Sequence, residues 1–193
     1  TPGFVCSEDS LSSPNIICPA GFYCPIGTQT SDPFRNDTTL RPYPCPPGTY
    51  CLSGTGFKDV IEGNFTHPQP CIAGFYCESG TPSARGTGVC PSGFFCPKGS
   101  SVPLPTPKGH FTKYEGSLEP TVCLPGFYAP TIENKECFPC PPGAECLGEG
   151  LSTASLCPPG TYRGSLENDG VSCLNCPQGS WSQNWNIRDK DEC

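Results

Sequence analysis

The sequence predicts a chain of small disulfide-rich repeats, mostly turns and irregular loops with short β-hairpins, arranged as an elongated tandem array. Three observations carry this. Leu, Ile, Val and Phe supply only 35 of 193 residues, too few for one ordinary hydrophobic core. The chain nevertheless holds 17 cysteines, the density of a crosslinked scaffold. A seven-residue pattern, C-x-x-G-[FT]-[YF]-C, recurs along it.

The copies run in order. Cys18–Cys24, Cys45–Cys51, Cys71–Cys77 and Cys90–Cys96 are complete, each followed by x-x-G at Gly27, Gly54, Gly80 and Gly99. The pattern then persists from Cys123, Cys140, Cys157 and Cys176, where a closing cysteine survives only at Cys146. Ala129, Arg163 and Ser182 stand in the other three closing positions. Thr1-Pro2-Gly3-Phe4-Val5-Cys6 aligns with Pro19 through Cys24, so a cysteine is expected just before Thr1 and the chain reads as a piece of a longer polypeptide.

Each position in the pattern has a physical task. Gly three residues after the cysteine suits the third position of a type II turn, which requires positive φ. Proline just before it, as in Pro47-Gly48 and Pro159-Gly160, presets the preceding φ. The turn returns the chain so that a later cysteine reaches the first. Twelve of the 20 aromatics fall in the two positions after that glycine, serving many small local cores.

Pairing every opening cysteine with the next one along gives Cys18–Cys24, Cys45–Cys51, Cys71–Cys77, Cys90–Cys96, Cys123–Cys137, Cys140–Cys146, Cys157–Cys173 and Cys176–Cys193. Cys6 is left to bond a residue outside the chain. The alternative scheme links neighbouring repeats, for example Cys24 with Cys45. Three regions follow: two-cysteine repeats over 1–99, a Pro-rich connector over 100–122, and longer cysteine units over 123–193. The alternating prolines at 103, 105 and 107 predict an extended polyproline II connector.

The segment Cys157-Pro158-Pro159-Gly160-Thr161-Tyr162 with Cys173-Leu174-Asn175-Cys176-Pro177-Gln178-Gly179 resembles ephrin-receptor-like cysteine-rich repeats. The C-x-x-G-F-Y-C copies resemble the denser, mastigoneme-type version found in surface and flagellar proteins of protists and algae. The resemblance covers nearly all of the chain outside 100–122 and implies a non-catalytic extracellular array.

Charge and chemistry narrow the function further. A net charge of −7 without any basic patch argues against nucleic acid or anionic lipid as a partner. No apolar run reaches 18 residues, so no direct membrane insertion is expected. Zinc is the rival use for Cys137-Phe138-Pro139-Cys140 and Cys173-Leu174-Asn175-Cys176, but these pairs sit among 13 other cysteines and read as disulfides. A redox role for C-x-x-C needs a helix-borne motif near a βαβ unit, and neither is present. Asp189, Asp191 and Glu192 before Cys193 are similar to the calcium-binding entry of EGF-like modules, yet Lys190 replaces the usual apolar residue and no such module follows. An acidic solvated turn is the expected reading, with no metal and no cofactor.

Asn36-Asp37-Thr38 and Asn64-Phe65-Thr66 are N-glycosylation sequons, and N-linked glycans are expected on Asn36 and Asn64. Ser100, Ser101 and Thr106, beside prolines, are weaker O-glycan candidates. His67 and His110 lie in loops with no nucleophile nearby, and no enzyme activity is expected. The function expected is that of an extracellular structural glycoprotein segment building a filament, appendage or surface coat, with copies of itself or other extracellular structural proteins as partners. The alternative is a stalk or ligand-binding ectodomain of a cell-surface receptor or adhesion protein. A compact secreted inhibitor or toxin fits the multi-repeat length poorly.

Overall fold

The computed structural model describes residues 1–6, 16–34, 41–164 and 171–193. The Asn36 sequon lies outside them. The described chain contains two-residue strands joined in antiparallel pairs, and a single 3-10 turn at Lys190–Glu192. Each hairpin joins the two residues after a motif glycine to the two residues before the next motif. Phe4–Val5 pairs with Ile16–Ile17, Phe22–Tyr23 with Tyr43–Pro44, Thr49–Tyr50 with Gln69–Pro70 and Phe75–Tyr76 with Gly88–Val89. Phe94–Phe95 joins Leu104–Pro105 in the same way. The series continues with His110–Phe111 and Thr121–Val122, Phe127–Tyr128 and Phe138–Pro139, Ala144–Glu145 and Ser155–Leu156, and Thr161–Tyr162 and Leu174–Asn175.

A two-stranded hairpin alone is marginal in water. Crosslinks and a backbone ladder supply what the strands lack. Disulfides join Cys18–Cys24, Cys45–Cys51, Cys71–Cys77, Cys90–Cys96, Cys123–Cys137, Cys140–Cys146, Cys157–Cys173 and Cys176–Cys193, with Cα separations of 5.7–6.0 Å. Cys24 and Cys45 each bond within their own motif, so the inter-repeat scheme is not formed there. Cys6 is free and half-buried. The short-loop cystines are buried and form the centres of small clusters, such as Val5 with Cys18, Cys24 and Phe22.

Backbone hydrogen bonds then tie motif to motif, and four of them join the Cys18 copy to the Cys45 copy. The Gly21 N–H donates to Cys51 O at 2.8 Å, and Cys24 N–H donates to Thr55 O at 2.9 Å. In return Gly54 N–H donates to Cys18 O at 2.9 Å, and Cys45 N–H to Gly21 O at 2.8 Å. The chain divides into two compact units, one of Thr1–Pro91, Phe95–Leu104 and Glu115–Glu119, the other of Ser92–Phe94, Pro105–Tyr114 and Pro120–Cys193. The same bonds recur in the second unit, where Gly109 N–H donates to Ala129 O, Thr112 N–H to Asn134 O and Gly150 N–H to Cys123 O. Polar backbone that a core would otherwise have to satisfy is paired motif to motif.

The connector expected over 100–122 is corrected by the structure. Thr106-Pro107-Lys108-Gly109-His110-Phe111-Thr112 is a further copy of the motif, with Thr in both cysteine positions. Its glycine has φ 78°, its His110–Phe111 strand pairs with Thr121–Val122, and its Thr106 N–H donates to Gly93 O like an opening cysteine. Thr106 Oγ1 and Thr112 Oγ1 lie 2.6 Å apart, so a hydrogen bond stands where the complete copies, such as Cys90–Cys96, have sulfur–sulfur. The prolines that suggested polyproline II serve the hairpin and turn instead. Proline presets a turn as readily as an extended run, and the Gly109 that follows decides between them.

Close approach explains why the motif glycines are glycines. A Cβ on Gly21 would sit 2.4 Å from Gly80 O, and one on Gly48 2.5 Å from Gly99 O. These motifs thus pack on the x-x-G carbonyl of the motif two places later, whereas a Cβ on Gly160 would meet the Trp181 ring and one on Gly179 nothing within 4 Å. In the second unit Glu133 and Asn186 take the x-x-G place with φ 63°, the left-handed conformation Gly150 adopts at the equivalent point.

Candidate functional site

No described cluster of His, Cys, Asp or Glu has the arrangement of a metal site. Cys137, Cys140, Cys173 and Cys176 are each bonded to a separate partner, so neither C-x-x-C presents two thiolates. At the C-terminal end, Asp189 caps the 3-10 turn by accepting from Asp191 N–H at 3.0 Å, and Glu192 accepts from Arg188 N–H at 3.2 Å. These carboxylates stiffen a local turn. His67 Nδ1 bonds Asp59 O at 3.0 Å and its ring stacks on Phe57 at 4.4 Å, whereas His110 Nδ1 bonds Lys108 O at 3.2 Å. His67 thus helps order its loop, whereas His110 lies in a hairpin strand opposite Val122 and not in the loop expected for it.

The O-glycan candidates are corrected in two of three cases. Thr106 is fully buried and engaged with Thr112, and Ser100 is buried with its hydroxyl donating to Pro97 O at 2.7 Å. A transferase cannot reach either oxygen without opening the motif. Ser101 is half-buried.

Ser100 instead belongs to a set that sequence reading missed. Thr28, Thr55 and Thr81 follow the x-x-G glycines at the same offset, and all four hydroxyls donate to the carbonyl three residues back at 2.7–2.8 Å. Their backbone carbonyls accept the closing-position N–H of the preceding motif, as from Cys6, Cys24, Cys51 and Cys77. The signal was a hydroxyl residue after every one of those glycines.

Where a closing cysteine is absent, other side chains fill the position. Ala129 is buried, and the buried Arg163 sends Nη1 to the carbonyls of Cys140, Pro141 and Ala144 at 3.2, 2.8 and 2.6 Å. One guanidinium therefore holds the turn of the preceding motif. Cross-strand aromatics add a further contact: Tyr23 stacks on Tyr43 at 5.5 Å, and Tyr128 meets Phe138 at 6.3 Å. Burial, followed by the neighbouring Tyr43 phenol, pushes the Tyr23 phenol above its ordinary pKa.

The described residues also form shallow grooves. One of about 350 Å³ in the first unit lies between Pro2, Tyr23, Ile26 and Phe57. Another of about 380 Å³ in the second unit is walled by Phe111, Val122, Leu124 and Phe127, with Lys113 and Glu136 on its lining.

No family model matches the sequence. The chain is similar to the ABC-type transporter claG of Penicillium crustosum, at 36% identity over 75 residues. That alignment takes in 31% of this chain and 10% of the transporter, so the chain spans about a tenth of the curated relative it matches. The molecule is thus a disulfide-rich, cysteine-repeat module of the kind that forms in an oxidising compartment. No helix among the described residues is long and apolar enough to cross a membrane.

Proposed function

We propose that the chain is a segment of an extracellular structural glycoprotein, resembling ephrin-receptor-like and mastigoneme-type repeats, that builds a filament, appendage or surface coat. The observation that carries this reading is the backbone ladder. Each motif is completed by hydrogen bonds from the next, the nearest-neighbour logic of repeat arrays. Such a chain resists proteolysis through local crosslinks and offers many similar surfaces for contact with copies of itself. Its role is mechanical, with no reaction and no cofactor assigned to it. Negative-stain electron microscopy of the native, unreduced full-length protein tests this. Regular filaments that disperse on adding reductant are expected, and single particles under every condition would overturn it.

The transporter similarity favours a second reading, a stalk or ligand-binding ectodomain of a membrane protein. Under that reading the full-length protein stays with the membrane pellet through high-salt and carbonate washes. Release into the wash would remove it.

A further inference from the structure

We infer that Asn64 carries an N-linked oligosaccharide whose first sugars cover an apolar loop tip, an inference that rests on the extracellular reading above. The loop over 57–66 has little core of its own. Buried Gln69 holds it from within: its Oε1 accepts from Gly63 N–H at 2.8 Å, and its Nε2 donates to Ile61 O and Asn64 O at 2.9 and 2.7 Å. Phe57 is pinned on His67. The fixed loop leaves Val60, Ile61 and Phe65 exposed at 50%, 49% and 60%. An apolar tip held in water is costly and adhesive.

Asn64 sits in the middle of that tip and is exposed. Its Oδ1 accepts from Thr66 Oγ1 at 2.7 Å and from Thr66 N–H at 3.2 Å. The sequon threonine thereby fixes the plane of the carboxamide through its oxygen. Nδ2 donates to no described residue and is the atom left for substitution. The step joins Nδ2 to the anomeric carbon of a lipid-pyrophosphate-linked oligosaccharide. The anomeric C–O bond breaks, the lipid pyrophosphate departs with the electron pair, and one Nδ2 proton passes to a base of the transferase. The sugar lies over Phe65 and Ile61, and its hydroxyls replace the apolar face presented to water.

The test uses full-length protein purified from its source. Peptide mapping after amidase release of N-glycans is expected to show residue 64 converted to Asp. Releasing the glycan from the folded protein is expected to raise binding of a hydrophobic dye. Asn64→Gln and Thr66→Ala lose the glycan, whereas Thr66→Ser retains it. Asn64 recovered as an unmodified amide from oxidised protein overturns the inference while leaving the extracellular reading intact. Unchanged dye binding after release overturns the covering role. A chain isolated with its cysteines as free thiols overturns the extracellular reading itself.

Discussion

The hydroxyls of Thr106 and Thr112 meet at 2.6 Å in the two positions that the Cys90–Cys96 cystine occupies in the preceding motif. Both residues are almost completely buried. A covalent crosslink has been exchanged for one hydrogen bond, and the turn and hairpin around it are kept. The double substitution Thr106→Cys with Thr112→Cys is expected to form a disulfide. It should raise stability by about 2 kcal/mol from loop closure. Peptide mapping without reductant and denaturant midpoints check this. Thr106→Val alone should cost about 1–3 kcal/mol, because it strands a buried hydroxyl.

Two glycines separate backbone strain from steric exclusion. Both have positive φ, 78° at Gly109 and 95° at Gly27. A Cβ on Gly109 would fall 2.0 Å from Gly150 O, whereas one on Gly27 meets nothing within 4 Å. Gly27→Ala should therefore cost about 1 kcal/mol of conformational strain. Gly109→Ala should exceed roughly 3 kcal/mol, since backbone must move. Equal losses in chemical unfolding would show that the motif-to-motif approach carries no weight.

Arg163 is the test of how a motif survives without its closing cysteine. Arg163→Ala leaves the carbonyls of Cys140, Pro141 and Ala144 without their buried donor, a loss of about 2–4 kcal/mol. Amide exchange should accelerate around 140–146. Arg163→Met, which keeps volume but not the donors, should behave like Ala. Recovery by Met would assign the residue to packing alone.

Tyr23 sets an alkaline limit on the first unit. Its phenol titrates higher folded than unfolded, so its contribution is complete below the ordinary value of 10.0 and is lost as pH rises through the raised one. Unfolding midpoints measured from pH 8 to 11 should fall less steeply above pH 10 in Tyr23→Phe than in the natural chain. An identical slope in both would remove the phenol from the account.

The fold class was legible because turn glycine and following aromatics recur together. Phe22-Tyr23 and Phe75-Tyr76 announce both the turn and the first strand of a hairpin. The motif at Thr106 was hidden because a search on cysteine looks for the crosslink, while the backbone is specified by Pro107, Gly109 and Phe111. Arg163 was equally obscure: its donors reach three carbonyls of a motif about twenty residues earlier, a relation that no local spacing encodes. The Ser100 candidate failed for a related reason. A serine beside a proline looks solvent-exposed until its hydroxyl is seen closing a turn.

The hairpins also keep count on one side only. Four residues separate Ile16–Ile17 from Phe22–Tyr23, and the same four separate Ser155–Leu156 from Thr161–Tyr162. The opposite intervals along the sequence range from 8 residues between Phe94–Phe95 and Leu104–Pro105 to 19 between Phe22–Tyr23 and Tyr43–Pro44. Insertions are therefore absorbed in one class of loop and fatal in the other, because a fifth residue in the short interval would shift glycine out of its cradle. Loop entropy grows only slowly with length, so the tolerant side can lengthen at little cost. A lineage of such chains can diversify its long intervals freely while its cysteine turns stay fixed in length, and foreign epitopes belong in the former.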